Sequence, residues 1–148
     1  MLISHKWKGV IPMVRLIAGD KGSGKTKKLI ELINAAASSE AGNVVCIEAK
    51  QAMTFDIHYH VRLIVAGDYE IASYEAMRGF ISGLYAGNYD ISHIFIDNLF
   101  KIVGGKSDHE AERFLDWLER FSAAHGVRFT VSASVDTNGV TDGMQKYL

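Results

Sequence analysis

The sequence predicts an α/β protein with three layers, α/β/α, around a mainly parallel five-stranded sheet. Apolar runs of strand length alternate with segments of helical period along the chain. Those runs are near-continuously apolar, as expected of strands covered by helices on both faces. The length, 148 residues, suits one domain with one core.

The five strand runs cover residues 14–18, 43–49, 61–67, 92–97 and 127–135. A first helix is expected to begin after Gly24 and to reach about Ser38, with Leu29, Ile30, Leu32 and Ile33 on its apolar face. Ser73 is a cap for a second helix, in which Tyr74, Met77, Ile81, Leu84 and Tyr85 recur at helical spacing until Gly87. Gly79 and Gly83 on that helix read as a close packing face for another helix, or alternatively for a dimer. Ser107 and Glu110 form an S-x-x-E capping box for a third helix. Its apolar face is Ala111, Phe114, Leu115, Leu118 and Phe121, Asp116 can pair with Arg120 one turn on, and Gly126 ends it. Residues 98–108 read as a mobile loop, and the tail from Asp136 as polar and rich in turns.

Residues 13–148 form the expected single domain. Residues 1–12 show no period and end at the one proline, Pro12. They are either a leader foreign to the native chain or an N-terminal extension. Charge narrows the function. Sixteen Lys and Arg against seventeen Asp and Glu give a formal charge of −1, which does not support a nucleic-acid partner. The distribution is uneven, with seven of the sixteen cations, against the single acid Asp20, in residues 1–28. The one cysteine, Cys46, excludes an internal disulfide and a multi-cysteine zinc site, and reads as a buried structural thiol. His58 and His60 read as solvated, and His93 as packed beside the sheet. No apolar run approaches the ~18 residues of a membrane span, and no signal-peptide core is present, so the expectation is a cytoplasmic protein.

The chemistry concentrates in Gly19-Asp20-Lys21-Gly22-Ser23-Gly24-Lys25-Thr26, a full match to G-x-x-x-x-G-K-[ST] between an apolar strand and a helix. Glycines let successive backbone N–H groups turn toward phosphate oxygens, and the helix adds its positive end. Lys25 can reach the β and γ phosphates, and the Thr26 hydroxyl can ligate Mg²⁺. The strand "HIFID" ends in Asp97, the carboxylate that would hold that Mg²⁺ through water.

With both motifs in place the chain resembles the P-loop NTPase superfamily from residue 13 to residue 135, and its RecA-like branch most. The resemblance makes residues 19–26 a Walker A motif and Asp97 a Walker B aspartate, and it implies ATP and Mg²⁺ as ligands. Many members place a catalytic Glu after the Walker B Asp; here Asn98 follows, which cannot accept a proton. RecA-like proteins take that Glu from the strand after the P-loop helix, which makes Glu48 the candidate base, although Lys50 stands where the family's glutamate is expected. The family's γ-phosphate sensor sits on a strand beside the P-loop strand, which makes Ser134 or Ser132 the candidate. Glu48, Asp68, Asp97 and Asp136 all follow strand runs, so a parallel sheet brings four carboxylates to one edge. No arginine finger can be assigned, which leaves a second copy or a protein partner as its source. The resemblance implies a slow ATPase, alternatively a nucleotide-dependent switch without catalysis, and more remotely a thymidine-kinase-like phosphotransferase. The last departs at Asn98 and at the missing zinc cysteines.

Overall fold

Runs rich in Val, Ile and Phe form five strands: β1 (Val14–Gly19), β2 (Asn43–Glu48), β3 (Arg62–Val65), β4 (Ile91–Asp97) and β5 (Arg128–Ser134). They come from a computed structural model that describes residues 13–51, 56–105 and 107–148. The stretch 1–12 and the loop residue Lys106 lie outside the described residues. The strand order is β1-β5-β4-β2-β3, and every neighbouring pair is parallel. Parallel pairing makes all five strands finish on one edge. It also requires crossovers, supplied here by α1 (Lys25–Ser39), α2 (Tyr74–Gly87) and the pair α3 (Leu99–Val103) and α4 (Asp108–His125). The β2–β3 connection has no described helix; its described part lies against α1, where Asn34 bonds Asp56 and His58 and where Ile57 is buried.

The two-residue pleat sorts the side chains onto two faces. Leu16, Val45, Ile47, Ile94, Ile96, Phe129 and Val131 share a core with α2, α3 and α4. Val44, Cys46 and Phe95 meet Leu29, Ile33 and Ala36 of α1 on the other face. The result is the expected α/β/α arrangement. Ser73 caps α2 by accepting from the Ala76 N–H at 3.0 Å. Gly126 closes α4 at φ 75°, a conformation that favours glycine.

Several expectations fail for physical reasons. The third strand stops at Val65, and Ala66–Tyr69 wind into a 3-10 turn. Residues 99–103 are helical rather than loop, because Leu99, Phe100 and Ile102 find cover in the core. Gly79 and Gly83 pack against no described residue: a Cβ at either would stand in open space. Asp116 binds the Tyr147 hydroxyl at 2.5 Å and Lys146 at 3.2 Å, and forms no ion pair with Arg120 among the described residues. The tail is no polar appendage. Thr141 precedes a short helix α5 (Asp142–Gln145); Val140, Met144 and Tyr147 are buried; and the Tyr147 carbonyl accepts the Leu16 N–H of edge strand β1.

At the N-terminal end of β4, His93 is buried and stacked on Phe95. Its Nδ1 meets Glu40 and its Nε2 meets Thr130, each at 2.8 Å. Burial alone would raise the Glu40 carboxyl, but His93, with Ser92 and Arg128, outweighs it and holds the group below its ordinary range. A depressed carboxyl contributes stability above its unfolded pKa and loses it as pH falls through the folded one. His93→Ala should therefore cost about 1–3 kcal/mol at neutral pH. The gap in melting temperature from the parent should narrow on acidification through the Glu40 folded pKa. A gap independent of pH would contradict this account of the cluster.

Candidate functional site at the C-terminal rim of the sheet

The loop after β1 turns sharply at three glycines. Gly22 and Gly24 sit at φ 85° and 88°, in the left-handed region open to glycine. A Cβ at Gly19 would run into the Ser23 hydroxyl. The Ser23 N–H closes a turn onto the Asp20 carbonyl at 3.0 Å, and the Lys25 ammonium folds back onto the same carbonyl at 3.1 Å. Lys21 and Thr26 lie within this loop-to-helix turn, with Lys21 exposed.

Helix α1 then begins with charge of the wrong sign. Its first turn holds Lys25, Lys27 and Lys28, no acidic residue, and no side-chain cap. A helix N-terminus carries about half a positive charge and favours anions. Uncapped amides and three cations at one end make an arrangement that an external anion would complete.

The strands beyond supply the acids. The pleat puts Glu48, Asp97, Ser132 and Ser134 on the α1 side of the sheet at its C-terminal rim. Glu48 and Asp97 are register partners on neighbouring strands, and Glu48 is 1% exposed. Asp97 accepts a hydrogen bond from the buried Ser132 hydroxyl at 2.9 Å. Burial raises the Asp97 carboxyl above its ordinary value; Ser132, Lys25 and Lys101 pull it back only in part. Burial also pushes the neighbouring Cys46 thiol up, with Asp97 and Glu48 adding to the effect, and Cys46 is fully buried, as a structural thiol should be.

The structure brings the loop and the carboxylates together in order. Strand β5 lies between β1 and β4, so Ser134 pairs with Gly19, the first loop residue, while Ser132 reaches Asp97. Asp68 is exposed in the 3-10 turn, and Asp136 is used structurally, accepting the Gly139 N–H at 2.7 Å. Beside Glu48 a cavity of about 320 Å³ opens toward Gln51, Asp68 and Tyr69.

Sequence reasoning missed two roles. Ser132 is the hydroxyl that both fixes Asp97 and accepts the Asn98 N–H at 2.9 Å. Asn98 itself stands at φ 61°, one of two described non-glycine residues with positive φ. Asparagine is several-fold enriched in that conformation; the other such residue is Glu70, at φ 57°. The signal for Ser132 was the alternation of small polar residues along β5; its partner, thirty-five positions away, was not legible.

A carboxyl whose folded pKa is raised favours the protonated fold, so its stabilising contribution is lost as pH rises through that pKa. Asp97→Asn keeps the shape and removes the charge. It should raise the melting temperature at neutral pH by about 3 °C, roughly 1 kcal/mol for a chain of this size. The advantage should vanish as pH falls through the Asp97 folded pKa. A variant less stable than the parent at neutral pH would show that the charge is already compensated.

No protein-family model matches the chain, and no curated protein matches it. Solved structures do. The flagellar accessory protein FlaH from Methanocaldococcus jannaschii is similar with a TM-score of 0.57 and 13% identity, over 93% of this chain and 68% of that one. The cytoplasmic domain of the type VII secretion ATPase EccC from Thermomonospora curvata is similar with a TM-score of 0.51 and 19% identity, over 90% of this chain. The present chain spans 19% of the EccC chain's length. At such identities the likeness is one of fold, the three-layer α/β/α arrangement around a parallel sheet.

Proposed function

We propose that this protein binds Mg-ATP between the loop 19–26 and Asp97 and hydrolyses it slowly, with Glu48 as the base. One observation carries the reading. The uncapped N-terminus of α1, loaded with Lys25, Lys27 and Lys28, sits behind two left-handed glycines on the same rim as the buried Glu48 and the half-buried Asp97. A polyphosphate and a divalent cation together satisfy both halves; neither alone does.

The backbone N–H groups of residues 19–26 would cradle the phosphates, and Lys25 would leave the Asp20 carbonyl for the β and γ oxygens. The donor set fits Mg²⁺: the Thr26 hydroxyl as ligand and Asp97 through water, with Ser132 orienting the carboxylate. The metal supplies charge neutralisation on the β and γ oxygens. Glu48, beside Asp97, takes the proton of the attacking water as its oxygen bonds to the γ phosphorus and the bond to ADP breaks. Ser134, next to Gly19, contacts the γ-phosphate. Turnover stays slow for lack of an arginine finger, which a second copy or a protein partner would bring. No helix among the described residues is long and apolar enough to cross a membrane, in keeping with the proposed cytoplasmic setting. The cavity beside Glu48 favours a second reading, transfer of the phosphoryl group to a small hydroxylated acceptor seated there; ATP-dependent phosphorylation of a nucleoside would establish it.

Calorimetry and phosphate release test the proposal. Lys25→Ala should weaken Mg-ATP by about 3 kcal/mol, roughly a hundredfold. Glu48→Gln should leave binding near the parent's and slow phosphate release by about 10²-fold or more. Unchanged affinity in the first variant would refute the site. Tight binding with no release in parent or variant would make the protein a nucleotide switch.

A further inference from the structure

We propose that the groove between α2 and α4, on the opposite face of the sheet from α1, docks a short acidic segment of a protein partner. Arg113, Trp117 and Arg120 follow an i, i+4, i+7 stripe along α4, and Arg78 faces them from α2 across a groove of about 290 Å³. None of the three guanidiniums forms an ion pair with a described residue. Asp116, the one acid in the lining, is already engaged by the Tyr147 hydroxyl and Lys146. The groove therefore gathers three guanidiniums against one carboxylate, on which Arg120 also acts through space, in a chain whose formal charge is −1.

Trp117 makes it more than a charged surface. The indole is half-buried against Phe121, with ring centroids 5.2 Å apart, and presents its remaining face to the groove. Arginine and tryptophan are the side chains most enriched where binding energy concentrates. At a rise of 1.5 Å per residue, Arg113 and Arg120 stand about 10 Å apart. Two carboxylates four positions apart on an extended peptide share one face with the residue midway between them and span about 13 Å at 3.3 Å per residue, a difference that the long arginine side chains take up. Each can meet a guanidinium in a forked pair, and an apolar side chain between them can lie on Trp117. A long polyanion fits less well, because Asp116 and Glu119 flank the stripe on the same helix. This assignment stands apart from the nucleotide site.

Trp7→Phe leaves Trp117 as the sole tryptophan, and its emission reports the groove directly. A synthetic peptide containing one Glu-Ala-Leu-Ala-Glu unit, which puts both glutamates and the leucine on one face, should shift that emission saturably at physiological salt. The Gln-Ala-Leu-Ala-Gln counterpart, inorganic phosphate and an oligothymidylate should not match it. Arg113→Gln with Arg120→Gln should weaken peptide binding about tenfold or more, with circular dichroism and Mg-ATP binding unchanged. Arg78→Gln, on the other helix, should weaken it too and carries the test if the double variant fails to fold. The proposal is overturned by a silent Trp117 with every probe, by equal binding of the glutamine peptide, by tighter binding of the oligonucleotide or phosphate, or by full affinity in the arginine variants.

Discussion

Glu48 and Asp97 end neighbouring parallel strands on the same face of the sheet, and the rest of the rim is organised around keeping two carboxylates there. Burial opposes the charge on Asp97. Within the chain the relief is partial: one serine hydroxyl, Lys25 and Lys101. The opposite imbalance lies at the start of α1, where three lysines crowd a positive helix end. Each imbalance is unfavourable alone. Side by side they define a place for a ligand that carries phosphate negative charge and a divalent cation at once. Functional sites commonly hold such locally unfavourable arrangements at the expense of stability.

Topology makes this juxtaposition unavoidable. All five strands run the same way, so loop, carboxylates and serines share one edge. Inserting β5 between β1 and β4 gives one strand two tasks. Ser134 stands next to the phosphate loop, and Ser132 braces the aspartate of the next strand. The same insertion explains Asn98. The chain must turn left-handed immediately after Asp97 to let its N–H reach Ser132 and to start α3. Asparagine is enriched in that conformation, and the carboxylate proposed as the base is one strand over, at Glu48.

The elements that were legible in the sequence are those with strong local patterns. Continuous apolar runs marked β1, β2, β4 and β5, helical spacing and caps marked α2 and α4, and the glycine loop marked the start of α1. The register that puts Glu48 against Asp97 was legible only as shared strand ends. What escaped depends on partners distant in sequence. Leu99, Phe100 and Ile102 look like an apolar loop until the core covers them. Val140, Met144 and Tyr147 are scattered among polar residues, and nothing local tells that Tyr147 reaches Asp116 and Glu119 on α4. Gly79 and Gly83 show the converse, a local pattern for close packing that no described neighbour uses. No local pattern in the sequence joins Arg78 to Arg113 and Arg120; only the packing of the two helices gathers them around Trp117.

The central claim is that the backbone amides of the loop and of the first turn of α1 are donors waiting for phosphate. Hydrogen exchange followed by mass spectrometry, with and without Mg-ATP, tests it most directly. Protection that appears on residues 19–28 and at the ends of β2 and β4, and that requires both nucleotide and Mg²⁺, is the result this account demands. Exchange in residues 19–28 that is indifferent to Mg-ATP, or protection that appears only between α2 and α4, would contradict it.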